Sequence, residues 1–379
     1  MKRALVTGGA GLIGSHLADL LLREGWSVRI LDSLERQTHP NGKPQWIPER
    51  AQFLHADVRD ERALPQALED IDVVFHQAAY GGFFPQLAKL CDVNITGTAR
   101  LLETIREHRL PVRKVIVASS QVVYREGTAR CAVHGIVAPR ERNIADLANG
   151  DWNTHCPVCG GQVASVPTRE DVPIAGDTPY AVSKAAQERL ALSWSRQSGI
   201  PVVALRYACT FGPRQSPFNP YTGIIAIFST RILAGEPPII YEDGEQTRDL
   251  CYVEDIARAN LLAAESDAVD GEAVNVGSGH GTTVREVAEC VALAFGSSIR
   301  PHASGEFRPG DLRHLVPDLT KIARTGFASS VSMSSGIERY VSWLRTQGDI
   351  ADGFLAARER LRDAGLVRRV VSNESMQHA

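Results

Sequence analysis

The chain lacks any apolar run close to the ~18–20 residues that a membrane-spanning helix needs. It also lacks appreciable net charge: 41 basic against 44 acidic residues leave −3, so no overall field favours nucleic acid or an anionic membrane. A secretory pattern is missing at its start. Met1-Lys2-Arg3-Ala4-Leu5-Val6-Thr7 offers a basic pair, then only three apolar residues before polar Thr7 and Gly8, a shorter run than a signal peptide uses. Internal repeats and long low-complexity segments are missing too. These absences lead to the expectation of a soluble cytoplasmic protein with neither nucleic acid nor membrane as partner. With 44% hydrophobic and 22% charged residues the chain is not disordered, collagen-like or coiled-coil, and its 379 residues allow two domains.

Nor does cysteine usage suit a disulfide framework. Seven cysteines are an odd number in a long chain without a secretory signal. Cys91, Cys209, Cys251 and Cys290 stand singly in apolar surroundings and read as small core residues. Cys131, Cys156 and Cys159 call for a separate reading.

What the chain does have is alternation. Ala4-Leu5-Val6, Val28–Leu31, Val73–Phe75 and Val115–Ala118 are short, β-branched-rich runs suited to strands buried on both faces. Helical patterns lie between and after them at Ser15–Glu24, Glu61–Glu69 and Asn94–Glu107, the last with apolar Ile95, Ala99, Leu102 and Ile105. Strand alternating with helix predicts an α/β fold, a Rossmann-like doubly wound parallel sheet with right-handed crossovers. Tyr180–Ser198 is a further helix and Val202–Leu205 a further buried strand. Between them and the first sheet strands, residues 125–176 carry four Pro, six Gly, three Cys and two His without sustained period, and read as an insertion. The arginine- and acid-rich stretch from Asp349 to about Gly365 reads as a solvated surface helix.

Thr7-Gly8-Gly9-Ala10-Gly11-Leu12-Ile13-Gly14 follows a strand and opens a helix. Gly9, Gly11 and Gly14 satisfy one dinucleotide pattern, and Gly8, Gly11 and Gly14 a related one. Glycines there permit the tight turn and let backbone approach a pyrophosphate at a positive helix N-terminus. Asp32 lies eighteen residues beyond Gly14, where a carboxylate accepts from ribose hydroxyls and repels a 2′-phosphate. NAD is therefore expected over NADP, with Arg36 nearby as the contrary signal.

Tyr180-Ala181-Val182-Ser183-Lys184 puts a phenol and an ammonium on one helix face. A free tyrosine, with pKa about 10, is a poor base at neutral pH. A neighbouring ammonium and a nicotinamide cation are expected to lower it, making proton transfer with a sugar hydroxyl feasible. Ser120, at the end of the strand beginning at Val115, is placed to hydrogen-bond the same oxygen.

With these pieces the chain resembles the extended short-chain dehydrogenase/reductase family, specifically its nucleotide-sugar epimerases and dehydratases. The resemblance runs through Asp92–Thr98, Leu205-Arg206-Tyr207, Phe211–Gln215, Gln246–Asp249, Val274–Gly279 and Arg308–Asp311. Cys156-Pro157-Val158-Cys159 and Asn219–Gly223 look most like the branch holding dTDP-L-rhamnose 4-epimerase and proteins labelled UDP-glucose 4-epimerase. It implies Ser120, Tyr180 and Lys184 as the catalytic trio. Gly8, Gly11, Leu12, Ile13, Gly14, Asp32, Asp57, Val58, Ala78, Asn94 and Ala208, with Tyr180 and Lys184, fall at NAD contacts. Ser120, Gln121, Arg248 and Arg308 fall at substrate contacts, the arginines on the diphosphate. The same resemblance implies a homodimer paired through helices near 94–108 and 180–198. It implies an NAD-binding domain of residues 1–205 and 249–277, and a nucleotide-sugar-binding domain of residues 206–248 and 278–379.

The implied reaction is C4 epimerisation through transient oxidation by NAD. Related 4,6-dehydratases carry an Asp-Glu pair after the serine position, and decarboxylases a Glu; Gln121 and Val122 can act as neither acid nor base. A 4,6-dehydratase or 4-ketoreductase is the alternative enzyme, and a non-catalytic NAD-binding regulator the alternative of another class. The chain departs from the family pattern twice. Arg206-Tyr207-Ala208-Cys209 has a thiol where an asparagine is usual, and Tyr80–Phe84 replaces a small polar loop. Both departures fall near the expected sugar pocket.

Cys131-Ala132-Val133-His134 and Cys156-Pro157-Val158-Cys159 are separated by 21 residues. Three thiolates and an imidazole with knuckle spacing suit a closed, structural tetrahedral zinc site, with His155 a competing ligand.

Overall fold

A computed structural model describes residues 1–370 except 83–85, 175, 177 and 222. Phe83 and Phe84 of the departing loop, Thr222 of the Asn219–Gly223 motif and the last residues of the 278–379 segment thus lie outside the described residues.

The β-branched runs do become buried strands. β1 (Arg3–Thr7), β2 (Ser27–Asp32), β3 (Gln52–His55), β4 (Val73–His76) and β5 (Lys114–Ser120) join Val202–Tyr207 and Ala273–Val276 in one parallel sheet of seven strands. Its order is Ala273–Val276, Val202–Tyr207, β5, β4, β1, β2, β3. Successive side chains point to opposite faces, so each strand feeds two cores. Ala4, Val6, Ile30, Phe75 and Ile116 meet Leu17 and Leu21 of helix Leu12–Arg23 and Ile256 of helix Val253–Glu265. Leu5, Leu31, Val74, Val115 and Val117 meet Leu101 and Ile105 of helix Gly97–Glu107 and Trp194 of helix Pro179–Ser198. Burial on both faces leaves no room for alternation with polar residues, which is why these strands read as continuous apolar runs.

Glycine-rich geometry sits at the carboxyl end of β1. Gly8 has φ +66, and a Cβ there would lie 2.7 Å from the Ala78 nitrogen. A Cβ on Gly14 would lie 2.3 Å from the Gly8 carbonyl oxygen. Neither position admits a side chain without moving backbone.

The Asn94–Glu107 helix is not regular throughout. Asp92–Thr96 forms a π turn before Gly97–Glu107 continues as α-helix. Such wide turns re-aim side chains, and here the turn carries Asn94.

A second core holds Phe211, Phe228, Leu250, Tyr252, Val287, Ile337 and Tyr340. Its sheet pairs Cys209–Phe211 and Gly281–Thr283 with Thr247–Tyr252, and His314–Leu315 joins the last of these. The insertion is ordered as a small antiparallel sheet, with β6 (Thr128–Cys131) between β7 (Gly135–Val137) and β8 (Ala164–Val166). Strands this short leave no readable period in the sequence.

Two expectations need correction. The terminal helix, Phe354–Asp363, is not merely solvated: Phe354, Ala357 and Leu361 are buried, and Arg358 and Arg362 reach the fully buried Glu306 carboxylate. Of the four cysteines read as core residues only Cys251 is fully buried. Cys91 is exposed on its short helix, while Cys209 and Cys290 are half-buried. Among the described residues no helix is long and apolar enough to cross a membrane.

Candidate active site and metal cluster

A cleft runs along the carboxyl ends of β1, β2 and β4, the place where open parallel sheets bind ligands. Gly8, Gly11, Leu12, Ile13, Gly14, Asp32, Asp57, Val58 and Ala78 all line it. Gly11 caps helix Leu12–Arg23 without any side-chain bond, so the helix presents its first turn to the cleft with no side chain competing for it. Asp32 accepts from the Ala10 nitrogen at 2.9 Å and the Leu34 nitrogen at 2.8 Å, which holds the glycine loop against β2. A carboxylate has further lone pairs for ribose hydroxyls. Asp57 is clasped by Arg59, which keeps its carboxyl below the usual range.

Two residues expected at the cofactor lie behind the cleft wall. Asn94 is fully buried: it accepts from the Tyr80 nitrogen at 2.7 Å and donates to the Tyr80 carbonyl and to Ser183 Oγ, both at 2.9 Å. It thereby ties the loop after β4 to helix Pro179–Ser198. Ala208 is buried, and its N–H is spent on the Val276 carbonyl.

The catalytic candidates converge where the cleft passes Gly81, and a Cβ on Gly81 would lie 3.3 Å from Tyr180 Cε2. Thr178 caps helix Pro179–Ser198 by accepting from the Ala181 nitrogen, and Pro179 starts it, which fixes Tyr180 in its first turn. Ser120 hydrogen-bonds the Tyr180 phenol; burial nonetheless pushes that phenol up to about 12. The lowering expected from the sequence relied on a nicotinamide cation together with the Lys184 ammonium, which donates to Gln187 Oε1 at 2.5 Å. Burial brings Lys184 itself down to about 7, with Glu188 opposing. From Gln187 a buried chain continues through Thr98 to His76 and on to Thr7, with links of 2.8–2.9 Å. His76 is pushed down to about 3 by burial and by Lys184, so it stays neutral.

On the second core, Arg248 and Arg308 share one carboxylate. Arg248 donates to Asp311 Oδ1 at 2.9 Å and Arg308 to Oδ2 at 2.7 Å. Despite burial, the two guanidiniums hold Asp311 far below the usual carboxylate range. Gln121 is buried next to Ser120. Its amide donates to Cys209 Sγ at 3.3 Å, and its Oε1 has no partner among the described residues. Burial raises the Cys209 thiol to about 11, with Arg248 opposing.

The inserted sheet gathers Cys131, His134, Cys156 and Cys159, whose ligand atoms all lie within 4.8 Å of one another. His155 does not compete, since its imidazole turns to Asp151 at 3.5 Å. The group fits a metal: three sulfurs and one nitrogen face a common point, and no two of the sulfurs are bonded.

Sequence reasoning missed three supporting residues. Glu188 pairs with Arg206 at 2.6 Å and accepts from Ser119; its position four residues after Lys184 was the available signal. Asp311 stands three residues after Arg308, and could have been read as its partner. Gln187, beside Lys184 at i+3, gave no charge signal at all.

A model of the NAD dependent epimerase/dehydratase family matches residues 4–141 and 156–277, and the chain belongs to that family. It is 34% identical over 360 residues to dTDP-L-rhamnose 4-epimerase of Burkholderia thailandensis, covering 92% of this chain and 96% of that protein. A UDP-glucose 4-epimerase of Thermotoga maritima, solved with UDP-glucose, aligns at TM-score 0.74 and 30% identity over 92% of this chain and all of that one. A Thermus thermophilus UDP-glucose 4-epimerase solved with NAD aligns at TM-score 0.71 and 31% identity, over 91% and 99%. Relatives named as a decarboxylase and as a 4,6-dehydratase match at 30% and 28%, so membership alone leaves the reaction open.

Proposed function

We propose that the chain is an NAD-dependent nucleotide-sugar 4-epimerase. The observation that carries this reading is the pairing of the Tyr180 phenol with Ser120 at the cleft, followed by Gln121 and Val122 instead of an acid. Elimination of water or loss of carbon dioxide calls for an additional acid or base; inversion at C4 does not. Relatives named as 4-epimerases support the same choice.

In this reading Gly11 and the first turn of helix Leu12–Arg23 hold the NAD pyrophosphate, and Asp32 the adenosine ribose. NAD supplies hydride acceptance at C4 and hydride return. As the phenolate that a bound NAD cation would favour, Tyr180 Oη would take the proton from the C4 hydroxyl and later return it, and Ser120 positions that oxygen. Lys184 is held in place by its bond to Gln187, which the buried chain through Thr98 and His76 fixes in turn. Arg248 and Arg308 turn toward the substrate diphosphate, where charge-assisted bonds contribute about 1.5–3 kcal/mol each.

The Cys/His cluster is read as a structural zinc site, closed because its four donors leave no open position. The two domains are read as 1–205 with 249–277 and as 206–248 with 278–379. The assembly is read as a cytoplasmic homodimer paired through the helices near 94–108 and 180–198.

The test is NMR of the purified protein with dTDP-, UDP- and GDP-sugars in D₂O, without added NAD. Inversion at C4 with its hydrogen retained is expected. Deuterium at C5 or C6, or a stable keto product, overturns the epimerase in favour of dehydratase chemistry.

A further inference from the structure

Arg142 and Glu126 of the insertion reach the segment that carries Asp311, the carboxylate shared by Arg248 and Arg308. Arg142 follows β7, is almost fully buried, and makes four kinds of contact. Its Nε donates to Glu126 at 3.0 Å, one guanidinium nitrogen to Glu242 at 2.9 Å and the Trp152 carbonyl at 3.2 Å, and the other to the Asp311 carbonyl at 2.6 Å. Glu126 also accepts from the Arg313 nitrogen at 2.7 Å, and Arg313 donates to Glu242 at 3.1 Å and Asp243 at 2.6 Å. Segment 311–313 is therefore gripped from the insertion. Its Asp311 side chain is the carboxylate that holds Arg248 and Arg308 together. A parallel bridge from Thr168 to Pro317 fixes the other end of the insertion to the same strand region.

Among the described residues, the insertion's own apolar cluster is small: Ala129, Cys131, Cys156 and Val163, with Val137 packed against them. Burial on this scale does not order some fifty residues, so such modules generally need a cross-link or a metal. The ligand atoms stand at metal spacing. Tetrahedral zinc with Zn–S near 2.3 Å and Zn–N near 2.0–2.1 Å puts sulfurs about 3.8 Å apart and sulfur and nitrogen about 3.6 Å apart. Cys131 Sγ lies 3.7 Å from Cys159 Sγ and 3.6 Å from His134 Nδ1, and Cys156 Sγ lies 3.5 Å from His134 Nδ1. The Val133 N–H points at Cys131 Sγ at 3.4 Å, a bond that steadies a thiolate ligand. Trp152, whose carbonyl Arg142 holds, is four residues before Cys156 and packs its ring on Phe307 at 6.0 Å.

We propose that zinc bound by Cys131, His134, Cys156 and Cys159 sets the grip on the nucleotide-sugar diphosphate, because the folded knuckle holds Arg142 against segment 311–313 and so keeps Arg248 and Arg308 paired. This rests on the reading of Arg248 and Arg308 as diphosphate ligands. Arg142 is a positioning residue, acting through Asp311, and the metal takes no part in the chemistry.

The experiment measures metal content of the full-length protein by mass spectrometry, bound NAD by absorbance, and binding of UDP, dTDP or GDP, whichever binds the wild type best, by calorimetry. One zinc per chain is expected. The double variant Cys156→Ser/Cys159→Ser should lose it, keep its NAD, and bind the nucleotide at least tenfold more weakly, with KM rising more than kcat falls. Arg142→Met should keep the zinc and show the same weakening. Should the double variant not fold, wild type stripped by chelator is measured in its place, with readdition of zinc expected to restore affinity. Absence of zinc from the wild type, or nucleotide affinity unchanged in both the zinc-free protein and Arg142→Met, overturns the proposal. Arg248→Ala separates the two readings. If it leaves nucleotide affinity unchanged while zinc is present, the diphosphate assignment fails and the coupling falls with it.

Discussion

Gln121 gives its side-chain N–H to the sulfur of Cys209 at 3.3 Å and leaves its carbonyl oxygen buried, with no partner among the described residues. Cys209 stands where an asparagine is usual in the family pattern, and Gln121 directly follows Ser120. A buried acceptor without a donor costs about 1–3 kcal/mol, and a sugar hydroxyl seated there would recover it.

Gln121→Met keeps the volume and removes both the acceptor and the contact to sulfur. It should raise KM for the sugar substrate about tenfold or more, lower kcat less, and leave bound NAD unchanged. Steady-state kinetics with NAD content measured on the same sample checks this, and an unchanged KM means that the Gln121 carbonyl does not face the sugar.

The phenol is the second test. Tyr180→Phe should keep the fold and the cofactor and reduce kcat by about 10²–10⁴, the usual worth of a positioned acid–base group. Gly81→Ala probes the same ring without touching its chemistry, since the added methyl would meet Cε2 at 3.3 Å. A tilt of the phenol should then lower kcat, because misplacement on the order of 1 Å can cost about 100-fold. Wild-type turnover in Gly81→Ala shows that the ring has room to shift.

Much of this was legible in the chain, for identifiable reasons. Strands buried on both faces have to be continuous apolar runs, and a pyrophosphate loop has to be glycine, so the sheet and the cleft could be read directly. The Cys131/His134 and Cys156/Cys159 spacings likewise encode local knuckles. What could not be read depends on tertiary contact. Lys184 bonds Gln187, Asn94 is turned inward by a π turn, and the terminal helix is amphipathic around a carboxylate from a distant strand. Each of these partners is set by packing, and nothing in local spacing announces it.

Acid should weaken the fold in a definite window. Burial lowers His16 and His314 to about 4 and His76 to about 3, against 6.5 when unfolded. Below pH 6.5 the unfolded chain therefore binds protons that the folded chain refuses, and stability falls as pH drops, until the folded values are reached. The combined loss is on the order of several kcal/mol. Thermal unfolding between pH 7.5 and 4.5 should show Tm falling gently down to about pH 6.5, where Lys184 at about 7 already contributes, and more steeply below it. His16→Gln, which can still donate to the Pro213 carbonyl now 3.0 Å away, should flatten part of that decline. A Tm independent of pH across this range contradicts the buried neutral histidines.

The last prediction concerns the terminal helix. Glu306 is fully buried on the strand Glu306–Phe307, and against that burial Arg358, Arg362 and Arg369 keep its carboxyl below the usual range. Arg358 and Arg362 each approach it at 2.5 Å. Removing the carboxylate strands the Arg358 guanidinium, which is mostly buried, without its counter-charge. Breaking a buried pair from one side costs about 3–5 kcal/mol, so Glu306→Gln should destabilise the second core strongly. The double change Glu306→Met/Arg358→Met removes both charges and should recover much of the loss, because an apolar pair of similar volume escapes the desolvation penalty. Chemical denaturation of the two variants and wild type measures this. Equal destabilisation by single and double variants would show that the unpaired Arg358 guanidinium is not the source of the loss.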